Sequence, residues 1–297
     1  MALNVGLVVV AHGRHFIVET SDRQRLLCHR RGKKVDCVVG DRVQWIATGD
    51  GGVIEAVLPR RSLLWRQDRW RSKSFAANID ALLVIVAAAP PLAEALLARA
   101  LIAAAHAGIS VQVLLNKIDL PEVGVARARL EPYRRMGVPV LEASLEHDAA
   151  AARTLLAPLL AGRATLLLGA SGVGKSTLIN VLVPDAAAQV GEVSRALNAG
   201  RHTTTTTSWY WLDEARTAAV LDSPGFREFG LQQIEAADLA RWLPDVAAHA
   251  THCRFVNCTH RDEPDCAVRA AAERGEIAAS RLRLYEQLHE ELSRPRY

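Results

Sequence analysis

The chain is short of the features that mark several common protein classes. Only 5% of its 297 residues are aromatic and two are methionine. No apolar run reaches the roughly 20 residues that a membrane span needs. The longest, around Ala81–Pro91, is broken by prolines and reads as a buried strand. The five cysteines are an odd number, which argues against a fully paired disulfide scaffold. The opening "MALNVGLVVVAHGRH" lacks a basic leader, and its apolar stretch is short and β-branched. A secretory signal is therefore not expected, and a cytoplasmic location without membrane contact is.

What is present is globular. Half of the residues are apolar and 23% are charged, enough to fill a core and too little charge for a disordered chain. The length suggests two domains or three small ones. The net charge of +4 hides an asymmetry. Residues 1–75 carry 14 Lys/Arg against 7 Asp/Glu, and the remainder carries 22 against 25. A basic segment on a mildly acidic body suits either a polyanionic partner or a solvated basic surface.

Residues 1–62 contain five short strands, "GLVVVA", "HFIVET", "QRLLCHR", "DRVQWIA" and "GGVIEAVL", separated by turn residues. That spacing predicts a small all-β barrel. Arg23, Arg25, Arg30, Arg31, Lys33 and Lys34 lie on or beside its loops. An oligonucleotide-binding fold and an ordinary SH3-like barrel both fit. Residues 63–78 form a basic, aromatic connector with Trp65, Trp70 and Phe75 among Arg and Lys. Such a stretch can track RNA or anchor two domains. From 79 to 234 apolar strands alternate with helices, the pattern of a parallel sheet covered on both faces. Ligands bind at the carboxyl ends of such strands. Residues 235–297 are helical again, interrupted by a Cys/His cluster.

Gly169-Ala170-Ser171-Gly172-Val173-Gly174-Lys175-Ser176 fits the phosphate-loop pattern between a strand and a helix. Its backbone N–H groups can cradle phosphates, with Thr177 counted in the same set. Lys175 is expected on the β- and γ-phosphates, and Ser176 on Mg²⁺. Asp222-Ser223-Pro224-Gly225 follows another strand. Asp222 can hold Mg²⁺ through water, and the Gly225 N–H can meet a γ-phosphate. Five threonines, Thr203–Thr207, follow Gly200-Arg201-His202, and Thr204 or Thr205 is the candidate to complete the Mg²⁺ shell. The later threonines also suit an edge strand. Asn116-Lys117-Ile118-Asp119 selects the base, because an Asp carboxylate accepts from both N1–H and the 2-amino group of guanine. Asn116 can brace the loop, the Lys117 stem can pack on the ring, and Ser144 can place a backbone N–H near guanine O6.

These motifs stand in rotated order. Read from Gly169, the phosphate loop, threonine segment and DSPG come first; joining the end back to residue 79 then supplies NKID and Ser144. A circularly permuted GTPase domain accounts for the order, since site geometry depends on neighbouring strands and not on where the chain starts. The rotation sends DSPG onward into the C-terminal region, so phosphate-dependent motion is expected to pass there. Cys253-x4-Cys258-x-His260-x5-Cys266 supplies three thiolates and one imidazole, a closed tetrahedral shell for one structural Zn²⁺.

Together these stretches resemble the RsgA (YjeQ) family of bacterial ribosome-biogenesis GTPases. The matching segments include "VGDRVQW", "VLPRRSLLWR", "NKIDL", "GASGVGKSTLIN", "GRHTTT", "LDSPGF" and "CRFVNCTHRDEPDCAV". The resemblance implies an OB-fold barrel, a permuted P-loop GTPase and a helical zinc module. It implies hydrolysis of GTP to GDP and phosphate, stimulated by the small (30S) ribosomal subunit late in its maturation. The barrel would contact 16S rRNA, with the zinc module as a further contact surface, and the chain would act as a monomer. Phe226 stands where many GTPases have a glutamine, and the resemblance gives His202 the role of orienting water. Asp265, where the family has glycine, and the element after Ala143 depart from the pattern. The alternative reading is a nucleotide-controlled RNA-binding placeholder with little catalytic role, and a third is a metal-handling chaperone GTPase.

Overall fold

The computed structural model describes residues 3–32, 36–49, 51–67, 72–186, 207–223 and 229–294. The five N-terminal strands form where the alternation places them: β1 (Asn4–His12), β2 (His15–Thr20), β3 (Arg25–Arg30), β4 (Arg42–Thr48) and β5 (Gly51–Val57). They pair in the order β1-β2-β3-β5-β4, and β4 closes back on β1. Only β3–β5 is parallel within this ring. Alternate residues Val8, Phe16, Val18, Cys28, Val43, Trp45 and Ile54 fill the barrel. The register of β1 against β2 shifts between Val8 and Val10. That bulge re-aims the strand, so that Val8 faces the barrel while Val9 and Val10 join the main core.

The basic, aromatic stretch after the barrel is itself folded, as a hairpin of β6 (Leu63–Gln67) and β7 (Ser72–Ala77). Phe75 is buried and its ring lies 6.1 Å from that of Phe229, so this aromatic is core. Trp70 lies outside the described residues. Part of the positive charge serves internal pairs. Arg60 donates to both oxygens of the fully buried Asp41, at 2.7 and 2.9 Å, and Arg61 donates to Asp80 at 2.8 Å.

The second domain alternates strand and helix: β8 (Ala81–Ala87), α1 (Glu94–Ala107), β9 (Ser110–Asn116), α2 (Val123–Arg135), β10 (Val140–Glu142), α3 (Ala149–Leu160), β11 (Ala164–Gly169), α4 (Lys175–Leu182), β12 (Thr207–Trp211) and β13 (Ala219–Asp222). Helix ends follow local chemistry. Gly108 closes α1 at φ 68°, and the Asp148 carboxylate caps α3 by accepting from Ala151 N at 2.9 Å. Pro158 lies exposed near the end of α3, removing one helical hydrogen bond without ending the helix. The strand order is β10-β9-β8-β11-β13-β12, parallel except for β12. Its strands are buried on both faces, with α1 and α2 over one and α3 and α4 over the other.

β12, which Thr207 begins, is not an edge. It pairs with β13 on one side and with β1 of the barrel on the other, Val10 opposite Ser208 and Ala11 opposite Thr207. Barrel and domain are therefore one continuous sheet. Glu19, buried in β2, reinforces the junction. It accepts from Trp211 Nε1 at 2.8 Å and Arg216 at 2.7 Å, while Arg25 of β3 donates to its other oxygen.

The C-terminal part comprises a 3-10 turn (Ala236–Trp242) and α5 (Pro244–Ala250), α6 (Ala267–Glu273) and α7 (Ala279–Ser293). α7 packs back onto the body. Its buried Arg281 pairs with Asp245 at 2.8 Å and lies 5.0 Å over the Tyr133 ring of α2. Arg99 of α1 donates to Phe229 O at 3.2 Å and to Glu291 of α7. Among the described residues no helix is long and apolar enough to cross a membrane.

Candidate nucleotide site and metal centre

Parallel pairing sets the nucleotide site. Gly169, at the end of β11, lies in register with Ile85 of β8; Ala87 pairs with Asn116, and Leu167 with Asp222. The phosphate loop, Asp222 and NKID therefore stand at the same end of the parallel strands. Gly172 and Gly174 adopt φ of 82° and 101° in the phosphate loop. A Cβ on Gly174 would come within 2.2 Å of Asn116 Nδ2, so both the backbone angle and the closeness of the second motif require glycine there.

That closeness is bonded contact. Asn116, 3% exposed, donates from Nδ2 to Val173 O at 2.9 Å and accepts from Leu145 N at 3.0 Å. It braces the phosphate loop and the base-side turn at once. Lys117, held at φ 61°, turns its ammonium to Gly172 O at 2.7 Å and Ala89 O at 3.0 Å. Its charge therefore reinforces the loop. Asp119 accepts from the Ser144 hydroxyl on Oδ1, and His147 Nε2 lies 3.3 Å from Oδ2. The Ser144 bond, foremost, draws the Asp119 pKa below the usual carboxylate range, and His147 adds to it. Sequence reasoning gave the Ser144 backbone N–H a role at guanine O6 and did not foresee that the hydroxyl donates to Asp119. It did not find His147 at all, and the unusual "ASLEHD" was the available signal.

On the phosphate side Lys175 opens α4 and pairs with Asp222 at the end of β13. Ser176 and Thr177 follow it, both exposed. A cation–carboxylate pair at a glycine-rich helix N-terminus suits a polyphosphate with its divalent cation. Asp222 and the Ser176 hydroxyl bring oxygen atoms to the same place. Thr207 donates its hydroxyl to Ser223 at 3.2 Å, both buried, joining the end of the threonine run to the DSPG motif. Both segments were named from the sequence, but this pairing between them was not. His202, Thr204, Thr205, Gly225 and Phe226 lie outside the described residues.

The second site is local. The ligand atoms of Cys253, Cys258, His260 and Cys266 lie within 4.8 Å of one another. Cys253 Sγ is 3.9 Å from Cys266 Sγ, and His260 Nδ1 is 3.4 and 3.5 Å from those two sulfurs. A tetrahedron with usual Zn–S and Zn–N lengths has S···S edges of about 3.8 Å and S···N edges of about 3.5 Å. The donor set therefore fits one zinc ion through Nδ1, with no position left over. Burial pushes the His260 pKa down, favouring the neutral ligating form. Burial also leads in raising the Cys258 thiol to about 12, a cost that a divalent cation offsets. The turn around His260, itself at φ 62°, is held by Glu263, which accepts from Thr259 N at 2.7 Å, Thr259 Oγ1 at 2.6 Å and Arg261 N at 3.1 Å. Burial alone would raise the Glu263 pKa; these hydrogen bonds override it and bring it to about 2. Tyr285 of α7 donates to Thr259 O at 3.0 Å.

Comparison with known proteins agrees with this geometry. The profile of a family described as RsgA GTPase matches residues 57–232. A relative from Variovorax paradoxus, named small ribosomal subunit biogenesis GTPase RsgA, is 54% identical, covering 99% of this chain and 94% of that protein. The crystal structure of YjeQ from Thermotoga maritima is 30% identical with a TM-score of 0.73, over 99% of this chain and 100% of that one. The structure of YloQ, described as a circularly permuted GTPase, is 26% identical with a TM-score of 0.70, over 100% of this chain and 98% of that one.

Proposed function

The chain belongs to the RsgA GTPase family, and from that premise we propose that it hydrolyses GTP to GDP and phosphate while docked on the small ribosomal subunit, late in that subunit's maturation. It is a GTP-hydrolysing enzyme of ribosome biogenesis, and its permuted domain carries the chemistry. The observation that carries the reading is the bond from Asn116 Nδ2 to Val173 O at 2.9 Å. It joins a guanine-selecting motif to a phosphate loop from which it is far removed in sequence.

The residues divide the work. Asp119 accepts the two guanine donors, Asn116 and Lys117 fix the loop between base and phosphates, and the amides of Gly169–Thr177 receive the phosphates. Lys175 moves from Asp222 to the β- and γ-phosphates and offsets charge that grows as the terminal phosphoryl departs. Asp222 and Ser176, with Thr204 or Thr205, would hold Mg²⁺, which would supply positive charge against the phosphates. Gly225 reports the γ-phosphate, and His202 orients the attacking water, a task for which the Phe226 ring has no acid–base group. One zinc ion in the Cys253, Cys258, His260 and Cys266 cluster is structural. The basic barrel docks on 16S rRNA, the protein acts as a monomer, and its partner places it in the cytoplasm.

The test is GTP turnover by purified protein with and without small subunits, at two salt concentrations. Slow intrinsic turnover, strong stimulation, and loss of stimulation at high salt are expected, because phosphate-backbone docking weakens as salt rises. A rate indifferent to subunits would refute the docked enzyme.

A further inference from the structure

The base-selecting carboxylate has a partner that the recognition of guanine does not require. Guanine must place N1–H and its 2-amino group on Asp119. Ser144 already donates to Oδ1, and His147 Nε2 stands 3.3 Å from Oδ2. A carboxylate offers about four lone-pair sites, so a short neutral hydroxyl orders it without changing its charge. An imidazole differs, because once protonated it sets a full positive charge against the group that must accept from the base.

The backbone holds His147 in this position. Leu145 N is tied to Asn116 Oδ1 at 3.0 Å, and Asp148 N closes the turn on Ser144 O at 2.8 Å. Asp148 then begins α3, its carboxylate accepting from Ala151 N. His147 thus sits between two fixed points, across from the NKID loop. Asp119 faces it, Lys117 of the same loop sends its ammonium to Gly172 O and Ala89 O, and Glu146 and Asp148 flank it on its own segment, the latter committed to the helix cap.

We propose that His147 sets the affinity of the base site: in its protonated form it competes with guanine for Oδ2 of Asp119, so that guanine-nucleotide binding by this chain weakens on acidification. The inference rests on Asp119 being the guanine contact. Because His147 is 69% exposed and Asp119 32%, the pair is worth what partly solvated pairs are worth, and the effect is about two- to fivefold in affinity. The deep core plays no part, so the exposed imidazole can be replaced without unfolding the domain.

The experiment uses full-length protein and GDP, with dissociation constants measured from about pH 8 to about pH 5.5, the range over which histidines titrate. Phosphate protonation is common to all samples, so the readout is wild type against His147→Gln. Wild type is expected to lose about two- to fivefold more affinity across that range than the variant. The same comparison is made in an Asp119→Asn background with xanthosine diphosphate, where His147→Gln is expected to change nothing. Superimposable GDP profiles, or a variant that binds more weakly at every pH, overturn the proposal. Asp119→Asn protein that still prefers guanine to xanthine overturns the reading of Asp119 as well, and the proposal with it. The two failures are thereby distinguished.

Discussion

The nucleotide site and the metal centre solve the same problem, gathering polar groups into a fixed array, by opposite means. The first draws on segments as distant as Asn116 and Asp222, and the register of the parallel strands brings them together. The second is contained between Cys253 and Cys266, in a loop with no strand or helix of its own until α6. A site built on a buried sheet borrows its rigidity from the core. A site built on a loop must obtain rigidity from the ion and from a few hydrogen bonds such as those of Glu263. Damage to the first should therefore change function while sparing the fold, and damage to the second should do the reverse.

Cys258→Ala gives the largest expected effect and tests that contrast most directly. With one ligand gone, zinc content should fall to background. Local stability should drop by about 4 kcal/mol or more, out of the roughly 10–16 kcal/mol that a complete site supplies. Hydrogen exchange should rise through the Cys253–Cys266 loop and α7, while GDP affinity stays within about twofold of wild type. Loss of GDP binding in parallel would break the comparison, since it would make the two sites one cooperative unit. Lys175→Ala comes next. Charge-assisted bonds to two phosphates sum to about 3 kcal/mol, so nucleotide affinity should fall about 100-fold by calorimetry. The melting temperature should hold, because among the described residues Lys175 is paired with a carboxylate at the same mouth. Retained GTP affinity would remove Lys175 from the phosphate site.

How much of this was legible in the sequence follows from the same contrast. The Cys/His spacing is local, so the clustering of Cys253, Cys258, His260 and Cys266 could be read from it. The barrel strands were visible because alternation is a local pattern: Val8, Phe16 and Val18 point inward as their spacing requires. The phosphate loop and NKID were visible as motifs, and their rotated order implied a shared sheet. The long-range pairs left no trace. Nothing near Thr207 announces Ser223, and nothing in "GLVVVAH" announces that β1, while still paired with β2, also pairs with β12. Arg60 counted in the sequence only towards the positive charge of residues 1–75, and nothing beside it announced its buried partner Asp41. Residues could therefore be named from the sequence where the partners they bond could not.

Glu263→Gln sharpens the comparison at smaller scale. The amide keeps the shape but offers one good acceptor where the carboxylate satisfies three donors around His260. Outer-shell partners of metal ligands are typically worth 10–100-fold in affinity, and about tenfold weaker zinc retention against a chelator is expected. GTP turnover should not change. Unaltered zinc retention would mean that the turn is rigid without its carboxylate.

Asp265 offers the smallest and cleanest comparison, because the loop site carries backbone strain that no sheet absorbs. Its φ is 56°, a left-handed angle that favours glycine, and its carboxylate pairs with Arg254 at 2.9 Å, both side chains about two-thirds exposed. Replacing Asp265 by Gly or by Ala removes that pair equally, so the difference between the two variants isolates the backbone. Alanine at a left-handed position costs about 1–2 kcal/mol. Glycine returns part of its advantage through the greater freedom of the unfolded chain, about 0.4–1 kcal/mol. Asp265→Gly should thus be more stable than Asp265→Ala by about 1 kcal/mol in chemical denaturation of the zinc-loaded protein. Equal stabilities would mean that the metal cluster relaxes around residue 265 and stores no strain there, and the loop site would then be as well supported as the sheet site.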